Sequence, residues 1–221
     1  MRVKLARRSP LRWLSHTKYV NLVHDAVDKA GLPVARSGKG GRLSLVAGPP
    51  LPPGCTSLCE YVDAALAEPP EGGAPITATD FGKKLAERLP RGLDLLWRRR
   101  LPPRALHLRA SVTGFWYTIR GEFDKSALAR FETSTAWPLR QMRKGRERCL
   151  DLRQAVLFRR TGCRELTMGI DVLPEGIPKL GEVLSSVLGM GPGEVLTLEI
   201  QRVALRFRPL PYLRALVEEQ A

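Results

Sequence analysis

The chain has 221 residues, 43% of them hydrophobic, which is enough to build real cores and excludes an intrinsically disordered protein. Its formal net charge is +14 at pH 7, with 18 Lys and Arg against 9 Asp and Glu in residues 1–105, and 18 against 13 in the remainder. The basic excess covers the whole chain. It indicates either an anionic partner, such as nucleic acid or an acidic protein surface, or a genome-wide preference for Arg.

The sequence contains no signal-peptide pattern and no apolar run near the ~20 residues of a membrane helix. We therefore expect a cytoplasmic protein that does not bind membranes. Its four cysteines are then expected to be reduced.

The first half predicts the element order β-α-β-β-α-β. Arg2–Arg7 alternates polar and apolar residues as a half-buried strand does, and Ser15 is a good N-cap for a helix that ends at Gly31. The other predicted elements are strands at Arg42–Val46 and Glu60–Ala65, a helix capped by Thr79 or Asp80, and a strand at Leu93–Arg99.

The second half repeats this order after a stiff linker at Leu101–Arg104. Its predicted elements are a strand at Val112–Phe123, a helix at Lys125–Phe131 capped by Asp124, a basic hairpin arm at Met142–Arg148 turning at Gly145, strands at Leu150–Arg159 and Arg164–Leu173, a helix from Pro178 to Gly189, a strand at Val195–Phe207 and a short helix at Tyr212–Glu219. We therefore predict an α+β fold of two tandem ferredoxin-like (βαββαβ) units with antiparallel sheets. The first spans residues 1–105, and the second spans residues 106–221 with a short C-terminal extension.

Motifs for catalysis are scarce. Cys55 and Cys59 have the C-x3-C spacing that begins a radical SAM cluster motif, but Val62 occupies the third ligand position, which favours two buried or loop cysteines. The three histidines lack a zinc-binding spacing. We expect no catalytic residue, no metal site and no cofactor in this chain, and no enzymatic activity of the chain alone.

Several basic stretches predict binding instead. Arg140–Arg164 holds nine basic residues. A hairpin over Met142–Arg159 would place several guanidinium groups on one face, which would either bind successive phosphates of a nucleic acid or be a solvated strand face. The Phe115–Tyr117 aromatics could stack on bases, although alternation sends at least one of them into the core. The predicted partner- or anion-binding residues are His16, Lys18, Arg36, Lys39, Arg42, Arg143, Lys144, Arg146, Asp151 and Arg153.

Some stretches also carry a resemblance. They are Trp13–Lys18, Ala30–Ser37, Pro50–Gly54, Glu60–Asp63, Arg143–Arg148 and Asp151–Arg153. They are similar, in that order, to "FLSHLDL", "RAGLPLAYSQG", "PLPVG", "EYLDI", the basic arm and "D-[IL]-R" of the radical SAM-linked (radical SAM-associated) domain family. The chain departs from that family at Gly38–Arg42, where members usually carry a longer "GFNPHPK" loop.

The resemblance implies an accessory protein that forms a heterodimer with a separate radical SAM enzyme, stabilises it and helps to present its substrate. The partner would hold the iron–sulfur cluster, S-adenosylmethionine and, in some cases, cobalamin. One alternative from the residues is an RNA-binding module of tandem ferredoxin-like units with a basic arm. A further one is a metal-free endonuclease that uses His16 as general base.

Overall fold

A computed structural model describes residues 1–37, 41–102, 105–143, 145–160 and 164–208, with the backbone alone at 143 and 160. The strands are Arg2–Arg7 (β1), Arg36–Ser37 (β2), Arg42–Leu43 (β3), Leu45–Ala47 (β4), Thr56–Ala64 (β5), Leu93–Arg99 (β6), Val112–Arg120 (β7), Pro138–Arg143 (β8), Arg146–Asp151 (β9), Val156–Arg160 (β10), Glu165–Asp171 (β11) and Glu199–Phe207 (β12). The helices are His16–Lys29 (α1), Ala78–Ala86 (α2), Leu108–Ser111 (α3), Lys125–Thr133 (α4), Leu152–Ala155 (α5), Leu180–Leu188 (α6) and Pro192–Thr197 (α7). In these ranges no helix combines the length and apolar character that crossing a bilayer requires.

The strand order confirms the predicted α+β fold with ferredoxin-like units. In the first half the order is β6-β1-β5-β4, and in the second half it is β10-β11-β7-β12. Neighbouring strands within each half are antiparallel. In both halves the first strand is therefore central and its two neighbours are the third and fourth, as the split βαβ arrangement requires.

The two halves share one eight-stranded sheet. β4 covers only the C-terminal end of β5, which leaves the N-terminal end of that edge free. There β12 pairs with β5 in parallel, Gln201 opposite Thr56 and Arg202 opposite Ser57. The expectation of antiparallel sheets thus holds inside each half, and a short parallel pairing joins them. The division between residues 105 and 106 stays a prediction.

Two hydrophobic cores lie against this sheet. The first contains residues of β1, α1 and α2, such as Leu5, Val23 and Leu85. The second packs α4 and α6 on β7 and β11, and it also contains Leu51, Cys55 and Cys59 from the first half. The second core therefore extends across the junction, because the edge of β5 that faces β12 supplies part of it.

The helix ends follow local signals in most cases. The Ser15 hydroxyl accepts from the amide of Lys18 at the start of α1, and Gly31 follows its end with a φ of 58°. The predicted cap of α2 is wrong by two residues or more, because Thr77 is the N-cap. Its hydroxyl accepts from the Asp80 amide at 3.0 Å and donates to the Asp80 carboxylate at 2.6 Å, so Asp80 supports the cap instead of forming it.

Other predicted boundaries are also corrected. The Arg42–Val46 strand is interrupted at Ser44, and the last strand starts at Glu199 because Pro192 begins a further helix. The strand predicted at Leu150–Arg159 is two strands separated by the single turn α5. Asp151 caps that turn by accepting from the amide of Arg153 at 3.0 Å.

The β8–β9 hairpin therefore forms a two-stranded sheet of its own, and β10 belongs to the main sheet. A single hairpin over Met142–Arg159, with one face of guanidinium groups, does not form. The terminal helix predicted at Tyr212–Glu219 lies outside the described residues.

The three consecutive aromatics of β7 divide between the two faces of the sheet. Phe115 and Tyr117 are buried in the second core. Trp116, between them in sequence, points to the other face and covers Gly169, where a Cβ atom would stand 3.0 Å from its ring. Two of the three rings are thus unavailable for stacking on a base.

Candidate ligand site at the junction of the two halves

The predicted binding residues fall into separate places. Arg36 is exposed, pairs with Asp28 at 2.5 Å and donates to the Gly41 carbonyl at 2.9 Å. Arg42, also exposed, donates to the Asn21 side chain at 3.3 Å. These contacts attach the small β2–β3 hairpin to α1. Exposed Lys18 lies nearer the start of that helix, and Lys39 lies outside the described residues.

The predicted residues of the second half lie on the β8–β9 hairpin and at its base. Arg143 and Arg146 face each other across the strands, and the Arg146 side chain is exposed. Asp151 accepts from the backbone amide of Trp137 at 2.9 Å as well as capping α5. Arg153 donates to the Ser134 carbonyl at 3.0 Å and lies 5.0 Å from the Phe131 ring centroid. Both side chains thus hold the hairpin to the fold. Lys144 lies outside the described residues.

His16 leads to a group that sequence reasoning missed. We call it the junction cluster: Arg7 at the end of β1, His16 and Tyr19 at the start of α1, Glu60 on β5 and Arg202 on β12. Arg7 and Arg202 are each 1% exposed, and Glu60 is 3% exposed. Charged residues are rarely buried to this degree unless they are paired. The cluster is therefore the most unusual electrostatic feature among the described residues.

Arg202 joins the two halves through charge and hydrogen bonds. Its Nη2 atom lies 2.5 Å from Glu60 Oε1, and the same guanidinium donates to the carbonyls of Pro49 and Pro50, both at 3.2 Å. Burial acts to lower the pKa of Arg202, but the charge of Glu60, the influence of Tyr117 and Cys59, and the hydrogen bond to Glu60 together raise that pKa above its ordinary value. Arg202 is thus held as a cation between the halves.

Arg7 has a different environment. Its guanidinium donates to the backbone carbonyls of Leu11 at 2.9 Å and Leu14 at 2.5 Å and lies 5.6 Å from the Tyr19 ring centroid. Burial lowers the pKa of Arg7, and the attraction of Glu60 opposes that shift. Two buried guanidinium groups therefore share one carboxylate.

A change of register in β5 lies beside this cluster. Leu5 pairs with Glu60 and Arg7 pairs with Ser57, so the register shifts between them. Ser57, Cys59 and Glu60 are all buried, which breaks the strict alternation of a regular strand. Such a bulge lets neighbouring residues point to one face. Simple alternation would have given Cys59 and Glu60 opposite faces.

An apolar pocket borders the cluster. We call it the junction pocket; its volume is about 770 Å³. One wall is the Pro49–Cys55 loop, the opposite wall is formed by α6 and α7, and the floor is formed by Phe115, Tyr117, Ile170 and Ile200. The pocket thus lies between the first half and the helices of the second. Its size and lining are typical of sites for small organic ligands.

The cluster and the pocket share structural elements. The carbonyls that Arg202 binds belong to the proline-rich wall, and the guanidinium carbon lies 5.8 Å from the Phe115 ring centroid on the floor. Tyr117 on the floor is close enough to Arg202 for the positive charge to oppose the rise in the pKa of Tyr117 that burial causes. The buried ion pair therefore supports one wall and the floor of the pocket.

The two cysteines of the first half do not fit a metal cluster. Cys55 and Cys59 are buried, and burial raises the pKa of both thiols, for Cys55 to about 12. Cluster ligands are thiolates, and these side chains are held as thiols in the core. A search of the described ranges for three or more His, Cys, Asp or Glu residues grouped as metal ligands finds none.

We expect iodoacetamide to modify Cys55 far more slowly than Cys149 in the folded protein, because Cys55 is 1% exposed and burial raises the pKa of its thiol to about 12. Cys149 is exposed on the hairpin and serves as the internal reference. Peptide mass spectrometry over time measures both rates. In urea the two rates should converge. Equal rates in the folded state would contradict the buried position of Cys55.

Comparison with known families adds one result. A model of a family described as an uncharacterised protein conserved in bacteria (DUF2344) matches residues 1–174. The chain belongs to this family. The DUF2344 match covers Arg7, His16, Tyr19 and Glu60 but ends before α6 and Arg202. The DUF2344 region therefore supplies one wall of the junction pocket, and the residues after it supply the other. A comparison with curated proteins found no match.

Proposed function

We propose that this DUF2344 chain is an accessory subunit of a separate radical SAM enzyme and holds part of the substrate of that enzyme in the junction pocket. The sequence resemblance supports the partner, and the apolar junction pocket is the observation that carries the binding role. In this proposal the partner holds the iron–sulfur cluster, S-adenosylmethionine and, where present, cobalamin. The partner would perform the bond-breaking step.

The chemistry of the described residues supports a binding role over a catalytic one. The pocket is lined mainly by proline, aromatic and aliphatic side chains, and its charged rim residues Lys179 and Glu182 pair with each other at 2.6 Å. Such a lining binds an apolar or aromatic group and excludes water from it. The buried thiols Cys55 and Cys59 are poor nucleophiles in this state.

The RNA-binding alternative draws less support. It was based on tandem ferredoxin-like units with a basic arm, and that arm forms as the β8–β9 hairpin. The further expectation of a row of guanidinium groups over Met142–Arg159 is removed by the break at α5. Arg148 donates to the Glu175 carbonyl at 2.5 Å and Arg153 to the Ser134 carbonyl, so both are engaged within the fold. The endonuclease alternative requires His16 as general base, and it rests on that one residue.

Filling the pocket should reduce turnover without preventing assembly. Gly181 lies on the α6 wall, and a Cβ atom added there would meet no atom within 4 Å. We expect Gly181→Trp to lower turnover by the co-expressed radical SAM partner about tenfold, with Gly181→Ala close to wild type. Co-purification measures assembly, and product formation measures turnover. Full turnover by the partner without this chain would refute the accessory role.

A further inference from the structure

Buried polar atoms without a hydrogen-bond partner collect near the start of α1. Four such atoms lie in the described residues of this region: Arg12 Nε, His16 Nδ1, Tyr19 Oη and Arg202 Nε. The only other such atom in those ranges is Arg148 Nε, on the β8–β9 hairpin. Buried polar groups are nearly always hydrogen-bonded. Because the two guanidinium nitrogens and the Tyr19 hydroxyl can donate, their grouping indicates a missing acceptor.

These residues lie in one neighbourhood, because Arg7, Arg12 and Arg202 are each close enough to Cys55 to influence its titration. The rings of His16 and Tyr19 are 6.4 Å apart, and Arg7 lies over the Tyr19 ring. Arg202 is close enough to influence the titration of both His16 and Tyr19. Because helical side chains lean toward the helix N-terminus, Tyr19 points back toward the first turn of α1. Its hydroxyl, on a side chain 1% exposed, therefore points into the cluster.

The excess of buried positive charge also favours a bound anion. Arg7 and Arg202 are buried, Arg12 is half-buried, and Glu60 is the one buried carboxylate among the described residues. Buried charge is costly unless it is paired, and the acceptors bound by Arg7 are neutral carbonyls. A bound anion would compensate the excess positive charge.

The first turn of α1 also favours a bound anion. This helix has 14 residues and no acidic residue in its first turn. The Ser15 side chain and carbonyl accept from Lys18 and Tyr19, while the amides of His16 and Thr17 have no acceptor in the described part of the chain. Free amides and the positive end of the helix dipole favour anions.

We propose that the start of α1, together with Arg12, Tyr19 and Arg202, forms a binding site for the phosphate group of a small molecule. Phosphate has more acceptor positions than a carboxylate, which suits three side-chain donors and two amides. Arg12 and His16 are half-buried, so the site opens to solvent on their side. This site needs no radical SAM partner and is independent of the function proposed above.

The test is calorimetric titration of the isolated chain with inorganic phosphate and with phenyl phosphate, at an ionic strength matched with KCl. Binding of either compound, with acetate inactive, is the expected result. A phenyl phosphate affinity at least tenfold higher would identify an organic phosphate as the ligand. Equal affinities would identify free phosphate as the ligand.

Tyr19→Phe removes only the unmet hydroxyl, and we expect it to weaken phosphate binding about tenfold. Tyr61→Phe, outside the cluster, is the matched control and should bind as wild type does. Without phosphate, Tyr19→Phe should unfold at the same or a higher urea concentration, because the removed group lacks a partner in the free protein. The proposal fails if neither phosphate compound binds. It also fails if Tyr19→Phe binds phosphate as the wild type does, because the hydroxyl would then have no part in binding.

Discussion

Replacing Glu60 with Gln should lower the free energy of unfolding by about 3–5 kcal/mol, because it leaves two buried guanidinium groups without a carboxylate. The side chain of Glu60 is 4% exposed and that of Arg202 is 1% exposed, so water cannot take the place of the lost partner. The loss would be a large fraction of the total stability of a domain. Urea unfolding followed by circular dichroism measures it.

Two variants show whether the cost arises from a buried unpaired charge. Asp94→Asn breaks the exposed Arg8–Asp94 pair, whose side chains are 47% and 51% exposed, and should cost less than about 1 kcal/mol. Adding Arg202→Met to Glu60→Gln removes the unpaired cation and should recover part of the stability. A Glu60→Gln cost no larger than that of Asp94→Asn would show that the pair is effectively solvated.

Phe131→Ala should destabilise the second half by about 3–5 kcal/mol through the cavity it leaves. Phe131 is buried on α4, and its ring meets Trp137 and Phe158 edge-on at 5.4 and 5.5 Å. It also lies beneath the guanidinium of Arg153. The same ring thus supports β10 and the base of the β8–β9 hairpin. Thermal and urea unfolding measure the loss.

Met142→Ala is the matched control on the same hairpin. Met142 is 68% exposed, and its truncation should change the free energy of unfolding by less than about 0.5 kcal/mol. Phe131→Leu keeps most of the volume and should cost less than the alanine variant. Comparable losses from Met142→Ala and Phe131→Ala would mean that the hairpin is not anchored at this ring.

Most of the fold could be predicted because its signals are local. Ser15 and Asp124 cap helices where the sequence indicated, and Gly189 ends α6 in the left-handed conformation. Local signals gave a wrong prediction where two elements lie close together in the sequence. Asp151 begins a single buried turn inside what reads as one continuous strand, and four residues are too few to show helical periodicity.

The junction could not be predicted in the same way. Glu60 and Arg202 are 142 residues apart, and no local pattern links them. The alternation of each strand places Arg7, Glu60 and Arg202 on its core face, where a charged residue is not expected. In the sequence, Cys59 and Glu60 adjoin each other and an alternating apolar run. This pattern is compatible with a bulge but does not require one. His16 was the one candidate that the structure places in the cluster.

The parallel pairing of β5 with β12 also constrains biosynthesis. Arg202 is translated 142 residues after Glu60, a delay of about 7–28 s at typical ribosomal rates of 5–20 residues per second. During this interval the N-terminal end of β5 is an open edge that carries Glu60. Charged side chains on an edge strand discourage edge-to-edge association, and Glu60 is such a residue. When β12 pairs with β5, Glu60 binds Arg202 and becomes the attachment point between the halves.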